Sequence, residues 1–249
     1  MLPTLMMQNV GLNYHSKTSE TNAIDDITFC VNKGEFVGLV GPSGCGKTTL
    51  LSIISGILAP SRGQVLIEGK STKDKNAVIG YMFQRDLLFP WRTIWQNVNL
   101  GAELKHNKNA TQKATKLLKK YGIYDFKDKY PHELSGGMRQ RVALIRTLVL
   151  NPQILLLDEP FGALDYQTRQ NVIDDISGII KNENTTSLLV THDITEAICM
   201  CDKVIVLSNR PSRVKKVIDI QLDKTKPPSQ RKTLTKFFEY QTQIWKELA

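Results

Sequence analysis

Three stretches of the chain are apolar almost without a break: Phe36-Val37-Gly38-Leu39-Val40, Ile154-Leu155-Leu156-Leu157 and Leu188-Leu189-Val190. A strand with one wet face alternates apolar and polar residues, so such runs predict strands buried on both faces. Strand and helix patterns alternate through residues 36–60 and 153–210, which predicts a mainly parallel α/β core. Shorter strand patterns at Leu5–Val10, Ile27–Val31 and Gln64–Ile67, within residues 1–35 and 62–83, predict an antiparallel flap. Residues 87–152 interrupt the core with helices, where Ala114, Leu117, Leu118 and Tyr121 share one face at helical spacing. After Pro227-Pro228, the residues Leu234, Phe237, Phe238, Ile244, Trp245 and Leu248 form an amphipathic stripe expected to pack back on the core.

Composition adds limits. The 249 residues are 41% hydrophobic, enough for one large domain, and no apolar run approaches the roughly 20 residues of a membrane-spanning helix. Met1–Met7 lacks the basic region of a secretory leader, so a cytoplasmic location is expected. Cys30, Cys45, Cys199 and Cys201 have neither metal spacing nor a disulfide framework. The net charge of +9 is uneven: from Lys203 onward eleven basic side chains face four acidic ones. A solvated basic face, nucleic acid and anionic lipid all fit that surplus, but no nucleic-acid recognition motif accompanies it.

Chemistry enters at the ends of the buried runs. Gly41-Pro42-Ser43-Gly44-Cys45-Gly46-Lys47-Thr48 fits G-x-x-x-x-G-K-[ST], with a strand before it and a helix from Thr49 to Ile54 after it. Backbone N–H groups of such a loop close around phosphate oxygens, and the helix N-terminus adds unpaired donors. Lys47 is expected at the β- and γ-phosphates and Thr48 on Mg²⁺. Cys45, near that N-terminus, is expected to have a lowered thiol pKa and to act as a small filler rather than a catalyst. The second run ends in Asp158-Glu159. Adjacent carboxylates there are costly unless they hold a cation or do chemistry, which suits Asp158 to Mg²⁺ and Glu159 to the attacking water. Ser135-Gly136-Gly137, opening a helix over Met138–Leu150, is a second anion-binding helix start. One nucleotide needs one such loop, so a second suggests that two chains share each nucleotide.

With these motifs in this order the chain resembles the ATP-binding-cassette (ABC) ATPases nearly end to end. The resemblance implies an α/β fold: a P-loop (RecA-like) mainly parallel core, an antiparallel β subdomain and an inserted helical subdomain. Residues 1–249 then form one ABC ATPase domain. Within it, 1–86 and 153–226 are the nucleotide-binding core with its flap, 87–152 the helical subdomain, and 227–249 a C-terminal amphipathic helix. It further implies that ATP and Mg²⁺ are bound, with Tyr14 stacking on adenine and the loop Gly41–Thr49 holding phosphate. Ser135, Gly136 and Gly137 would act from the opposing protomer, a second copy of the chain. Gln84 would sense Mg²⁺ and water, Glu159 would act on the water, and His192 would touch the γ-phosphate. Phe161-Gly162-Ala163-Leu164-Asp165 matches the loop that contacts the partner protomer. Position 138 departs from the family's commonest signature, carrying methionine where glutamine is usual.

Arg85-Asp86-Leu87-Leu88-Phe89-Pro90-Trp91-Arg92 contains an apolar, aromatic stretch directly after Gln84. It is similar to that of the nitrate/sulfonate/taurine importer ATPases. The resemblance implies a motor subunit, peripheral on the cytoplasmic face of the cell membrane. Its partners would be permease subunits docking through Leu88–Trp91 and a separate solute-binding protein, without nucleic acid. Other importer classes are the nearest alternative. Repair-type ABC ATPases carry long coiled-coil insertions, and ribosome-associated ones two cassettes; this chain has each motif once.

Overall fold

A computed structural model describes residues 2–15, 20–72 and 77–248. The chain runs β1 (Leu5–His15), β2 (Glu20–Val31), β3 (Phe36–Val40), α1 (Lys47–Ile54), β4 (Arg62–Ile67), β5 (Lys70–Ser71) and β6 (Ile79–Met82). It continues through α2 (Ile94–Leu104), α3 (Lys108–Lys120), α4 (Gly136–Leu148), β7 (Ile154–Asp158), α5 (Tyr166–Asn182), β8 (Ser187–Val190) and α6 (Ile194–Met200). It closes with β9 (Lys203–Leu207), β10 (Val214–Asp219), α7 (Pro228–Arg231) and α8 (Thr235–Leu248).

Two sheets result. An antiparallel sheet has the order β2-β1-β4-β5, the expected flap. The larger sheet has the order β10-β9-β3-β8-β7-β6 and is parallel except for β10. Its inner strands β3, β7 and β8 are wet on neither face, which is why they read as continuous apolar runs. Val37, Leu39, Ile154 and Leu156 point into a core shared with the flap and α1. Phe36, Val40, Leu155 and Leu157 point into a second core with α2–α6 and α8. The alternation of side chains along a strand thus distributes one apolar run between two cores.

The structure corrects two expectations. Ile79–Met82 does not belong to the flap: it pairs in parallel with β7 at the edge of the large sheet. A four-residue strand carries too little pattern to reveal its partner, and the one directional clue is burial on both faces, Met82 in one core and Ile79 and Tyr81 against the other. In α8 the apolar stripe divides. Phe237 and Ile244 are buried, with Leu234, Tyr240 and Leu248 packed beside them, whereas Phe238 and Trp245 are 55% and 60% exposed. Each lies one residue, about 100° of helix, past a buried neighbour.

Part of the basic C-terminal surplus is structural. Arg231 is buried and donates to the carbonyls of Cys199, Lys224 and Lys226. Lys203 pairs with Glu35 at 2.6 Å, and Arg213 pairs with Asp25.

The segment after Gln84 is held from two sides. Arg146 of α4 donates to the carbonyls of Asp86 and Leu87, and Arg139 bonds Asp86 at 3.0 Å. Asn97, fully buried in α2, accepts from the Phe89 N–H and donates to the carbonyls of Phe89, Arg92 and Thr93. Leu88 is thereby buried in the core, while Trp91 stands 71% exposed with its ring 5.1 Å from that of Phe89. Of the four residues expected to line a docking surface, Leu88 is instead buried in the core.

Candidate active site

The carboxyl ends of parallel strands are where α/β sheets bind ligands. Here β9, β3, β8 and β7 lie side by side, with Val40 opposite Val206, Leu39 opposite Val190, and Asp158 opposite Val190. The loops that leave them surround a cavity of about 560 Å³ lined by Ser43, Gly44, Gly46, Lys47, Thr48, Thr49, Glu159, His192 and Arg210.

The loop Gly41–Lys47 reaches this shape through its glycines. Gly46 caps α1 at φ +103°, a conformation that side chains with a Cβ rarely adopt. No side chain caps α1 and no acidic residue stands in its first turn, so its N-terminal donors remain open to an anion. Lys47 is 8% exposed, and its Nζ donates to the carbonyls of Gly41 at 2.8 Å and Pro42 at 3.0 Å. The ammonium is therefore held over the loop by the loop itself.

Cys45 corrects the sequence reading. Its side chain is 1% exposed, and a Cβ added to Gly41 would stand 2.8 Å from its Sγ. Burial pushes the thiol above its ordinary value, outweighing Lys47, which pulls it down. The role as a filler stands; the lowered pKa does not.

Asp158 sits partly buried at the end of β7, and Tyr81 donates to its Oδ2 at 3.1 Å. Burial raises its carboxyl pKa; hydrogen bonds from Tyr81 and Thr48 pull it back, and neighbouring Glu159 adds to the rise. A threonine hydroxyl beside a carboxylate is the hard oxygen pair that suits Mg²⁺, which takes one or two carboxylates and fills its shell with water and phosphate. Glu159 adopts φ +46°, with its N–H bonded to Val190 O at 2.9 Å. Its Oε2 lies 3.1 Å from His192 Nδ1, so the ring N–H donates to the carboxylate.

The remaining expected residues lie elsewhere. Gln84 follows β6; a Cβ on Gly162 would stand 2.9 Å from its Nε2 and 3.5 Å from the Glu159 carbonyl, but Gln84 does not line the cavity. Tyr14 lies within β1, 43% exposed, and is also outside the lining. Ser135 caps α4 by accepting from the Met138 N–H at 3.3 Å. Gly136 borders a separate cleft with Arg85, Asp86, Leu87, Arg139, Gln140, Ala163 and Leu164. Met138 packs against the core. Within one chain, the Ser135–Gly137 turn and the cavity are therefore distinct.

Two residues were not singled out from the sequence. Arg210 lines the cavity; its signal is Ser208-Asn209-Arg210-Pro211, a basic turn closing the last parallel strand. Glu196 is 6% exposed behind the His192 loop and accepts from Thr191 Oγ1 at 2.6 Å. Burial pushes its carboxyl up to about 7, with Asp193 raising it and Arg169 and His192 pulling it back. The fold favours the protonated form, so stability contributed here is present below about pH 4 and lost as pH rises through about 7. Glu196→Gln keeps an acceptor for Thr191. It should leave denaturant stability unchanged at acid pH and raise it by roughly 3 kcal/mol at pH 8. An equal gain at both pH values would assign the effect to packing rather than charge.

Known proteins resemble this chain over most of its length. The ABC transporter family profile matches residues 24–162. An uncharacterised ABC transporter ATP-binding protein of Bacillus subtilis is 46% identical over 98% of this chain and 95% of its own length. An aliphatic sulfonates import ATP-binding protein of Bacillus cereus is 36% identical over 97% of this chain and 94% of its own. A solved dimeric bacterial ABC transporter cassette superposes with a TM-score of 0.73 at 31% identity, covering 87% of this chain and 99% of that one. Among the described residues, no helix is long and apolar enough to cross a membrane.

Proposed function

This chain belongs to the ABC transporter ATP-binding proteins of importer-type systems, and on that premise we propose that it is the ATP-hydrolysing motor of a nitrate/sulfonate/taurine-like importer. It works as a dimer, at the cytoplasmic face of the membrane, driving solute uptake through separate permease subunits supplied by a solute-binding protein. The observation that carries this reading is the convergence of Lys47, Thr48, Asp158, Glu159 and His192 at the ends of adjacent parallel strands.

Residues 1–86 and 153–226 bind nucleotide, 87–152 present the Ser135 turn and the permease surface, and 227–249 brace the core. Lys47 and the α1 N-terminus hold the phosphates. Thr48 and Asp158 would hold Mg²⁺, with Gln84 as a further candidate ligand, and the ion would supply charge neutralisation on the phosphate oxygens. Glu159 takes a proton from the attacking water, and His192 fixes the Glu159 carboxylate through Nδ1. Tyr14 receives the adenine. Ser135, Gly136 and Gly137 complete the site from the second copy, and hydrolysis releases the two chains from each other.

The permease surface is tested at Trp91. Trp91→Ala should leave melting temperature and basal ATPase near wild type, since exposed positions away from special contacts change stability by about 0.5 kcal/mol or less. Copurification with the permease should fall, because truncating a buried interface aromatic costs about 2 kcal/mol or more. A large loss of melting temperature, or undiminished assembly with the permease, would reject the assignment.

A further inference from the structure

The cavity has two flanks. β8 and β7 lie on one side of β3 and bring His192 and Glu159; β9 lies on the other and brings Arg210, three residues beyond Leu207. The motif residues account for the first flank and the floor. Nothing in the sequence motifs accounts for the second.

The turn that carries Arg210 is held in place. Ser208 N–H donates to the Arg213 carbonyl at 2.9 Å, and Arg213 N–H donates to Ser208 Oγ at 3.0 Å. Ser212 is fully buried, and its N–H and carbonyl bond to Ala23 O and Asp25 N–H of β2 at 3.1 and 2.9 Å. Three residues after Arg210, the Arg213 guanidinium is committed to Asp25, which also takes Arg62. Arg210 makes no hydrogen bond or ion pair with any described residue. A rigid turn thus presents one arginine with its donors uncommitted at the mouth of a cavity whose floor is built for anions. Its positive charge is felt in the loop below, where it favours the ionised form of Cys45.

We propose that Arg210 is a phosphate-contacting residue of the nucleotide site, its planar guanidinium binding the polyphosphate from the flank opposite His192. The proposal rests on the reading of this cavity as the nucleotide site. A guanidinium matches two phosphate oxygens at once and keeps its charge at any working pH, which suits it to a polyphosphate chain. Placed at the mouth rather than the floor, it meets the nucleotide as it enters and adds to the field that attracts it.

Equilibrium binding of MgADP and of the non-hydrolysable imido analogue of MgATP to the isolated full chain tests this. Wild type, Lys47→Ala, Arg210→Ala and Arg210→Lys are compared at equal salt, with melting temperatures measured on each. Arg210→Ala should weaken binding about tenfold, Arg210→Lys less, with unchanged melting temperature. A loss confined to the triphosphate places the contact on the γ-phosphate, and a loss for both places it on the β-phosphate; each supports the proposal. Binding by Arg210→Ala within twofold of wild type, while Lys47→Ala binds poorly, overturns it and leaves the reading of the cavity intact. If that variant binds normally but no longer dimerises with the triphosphate analogue, Arg210 contacts the second chain and the proposal is again overturned. A wild-type chain that binds neither nucleotide overturns the cavity reading and this proposal together.

Discussion

Glu159→Gln should bind MgATP as tightly as the wild type and hydrolyse it about 10²–10⁴ times more slowly, the range that general-base catalysis supplies. The substitution is close to isosteric. Glu159 reaches the cavity from a strained backbone, φ +46°, held by its N–H bond to Val190, and glutamine inherits the same conformation. The amide oxygen still accepts from His192 Nδ1, where the carboxylate accepts at 3.1 Å. What is lost is the group that takes the proton. Because Lys47, Thr48 and the α1 N-terminus are untouched, nucleotide affinity should persist, and the uncleaved γ-phosphate should accumulate a closed dimer that sizes at twice the monomer mass. Single-turnover hydrolysis near the wild-type rate would remove Glu159 from the chemistry and leave Asp158 as the carboxylate to examine.

How far the molecule can be read from its sequence depends on how local each feature is. The parallel core is legible because burial on both faces writes itself into Phe36–Val40 and Ile154–Leu157 as unbroken apolar runs, and those runs end at the loops that carry Lys47 and Glu159. The flap is legible because β1, β2 and β4 are paired strands long enough to show alternation. Ile79–Met82 is too short to declare its partner, and its parallel pairing depends on a strand 75 residues later. The amphipathic stripe of α8 predicts a helix with a buried side, but the width of that side is set by α6 and β9, which pack against it; Phe238 and Trp245 fall just outside. Cys45 illustrates a balance that sequence cannot weigh. The adjacent helix end and Lys47 favour the thiolate, and only the closeness of Gly41 shows that burial prevails. Arg210 and Glu196 are missed for the same reason: each matters through what other strands and helices bring beside it.

The most discriminating expected result concerns the separation of Ser135 from the cavity. In one chain the Ser135–Gly137 turn opens onto a different cleft from Lys47, so if the turn serves ATP, it serves the ATP of another copy. Ser135→Arg places a long cation where the second chain's γ-phosphate would arrive. It also removes the α4 cap, which costs about 1 kcal/mol, so its melting temperature should fall modestly. The isolated variant should bind nucleotide like the wild type yet neither dimerise with ATP nor hydrolyse it. Lys47→Ala should be equally inactive through loss of phosphate binding. Mixed, the two dead proteins should recover activity. In a mixed two-fold dimer one composite site carries both lesions and the other carries none, so about half the dimers regain one working site and the rate approaches roughly a quarter of wild type if the sites act independently. Recovery cannot arise from either parent alone or from a site contained in one chain. A mixture as inactive as its parents, with heterodimers demonstrated by differential tagging, would show either that each chain hydrolyses ATP alone or that both sites must fire together. Hydrolysis by a mixture of Ser135→Arg with wild-type protein separates these: half-site activity in its mixed dimers leaves only the single-chain reading, in which the Ser135→Arg lesion acts within its own chain.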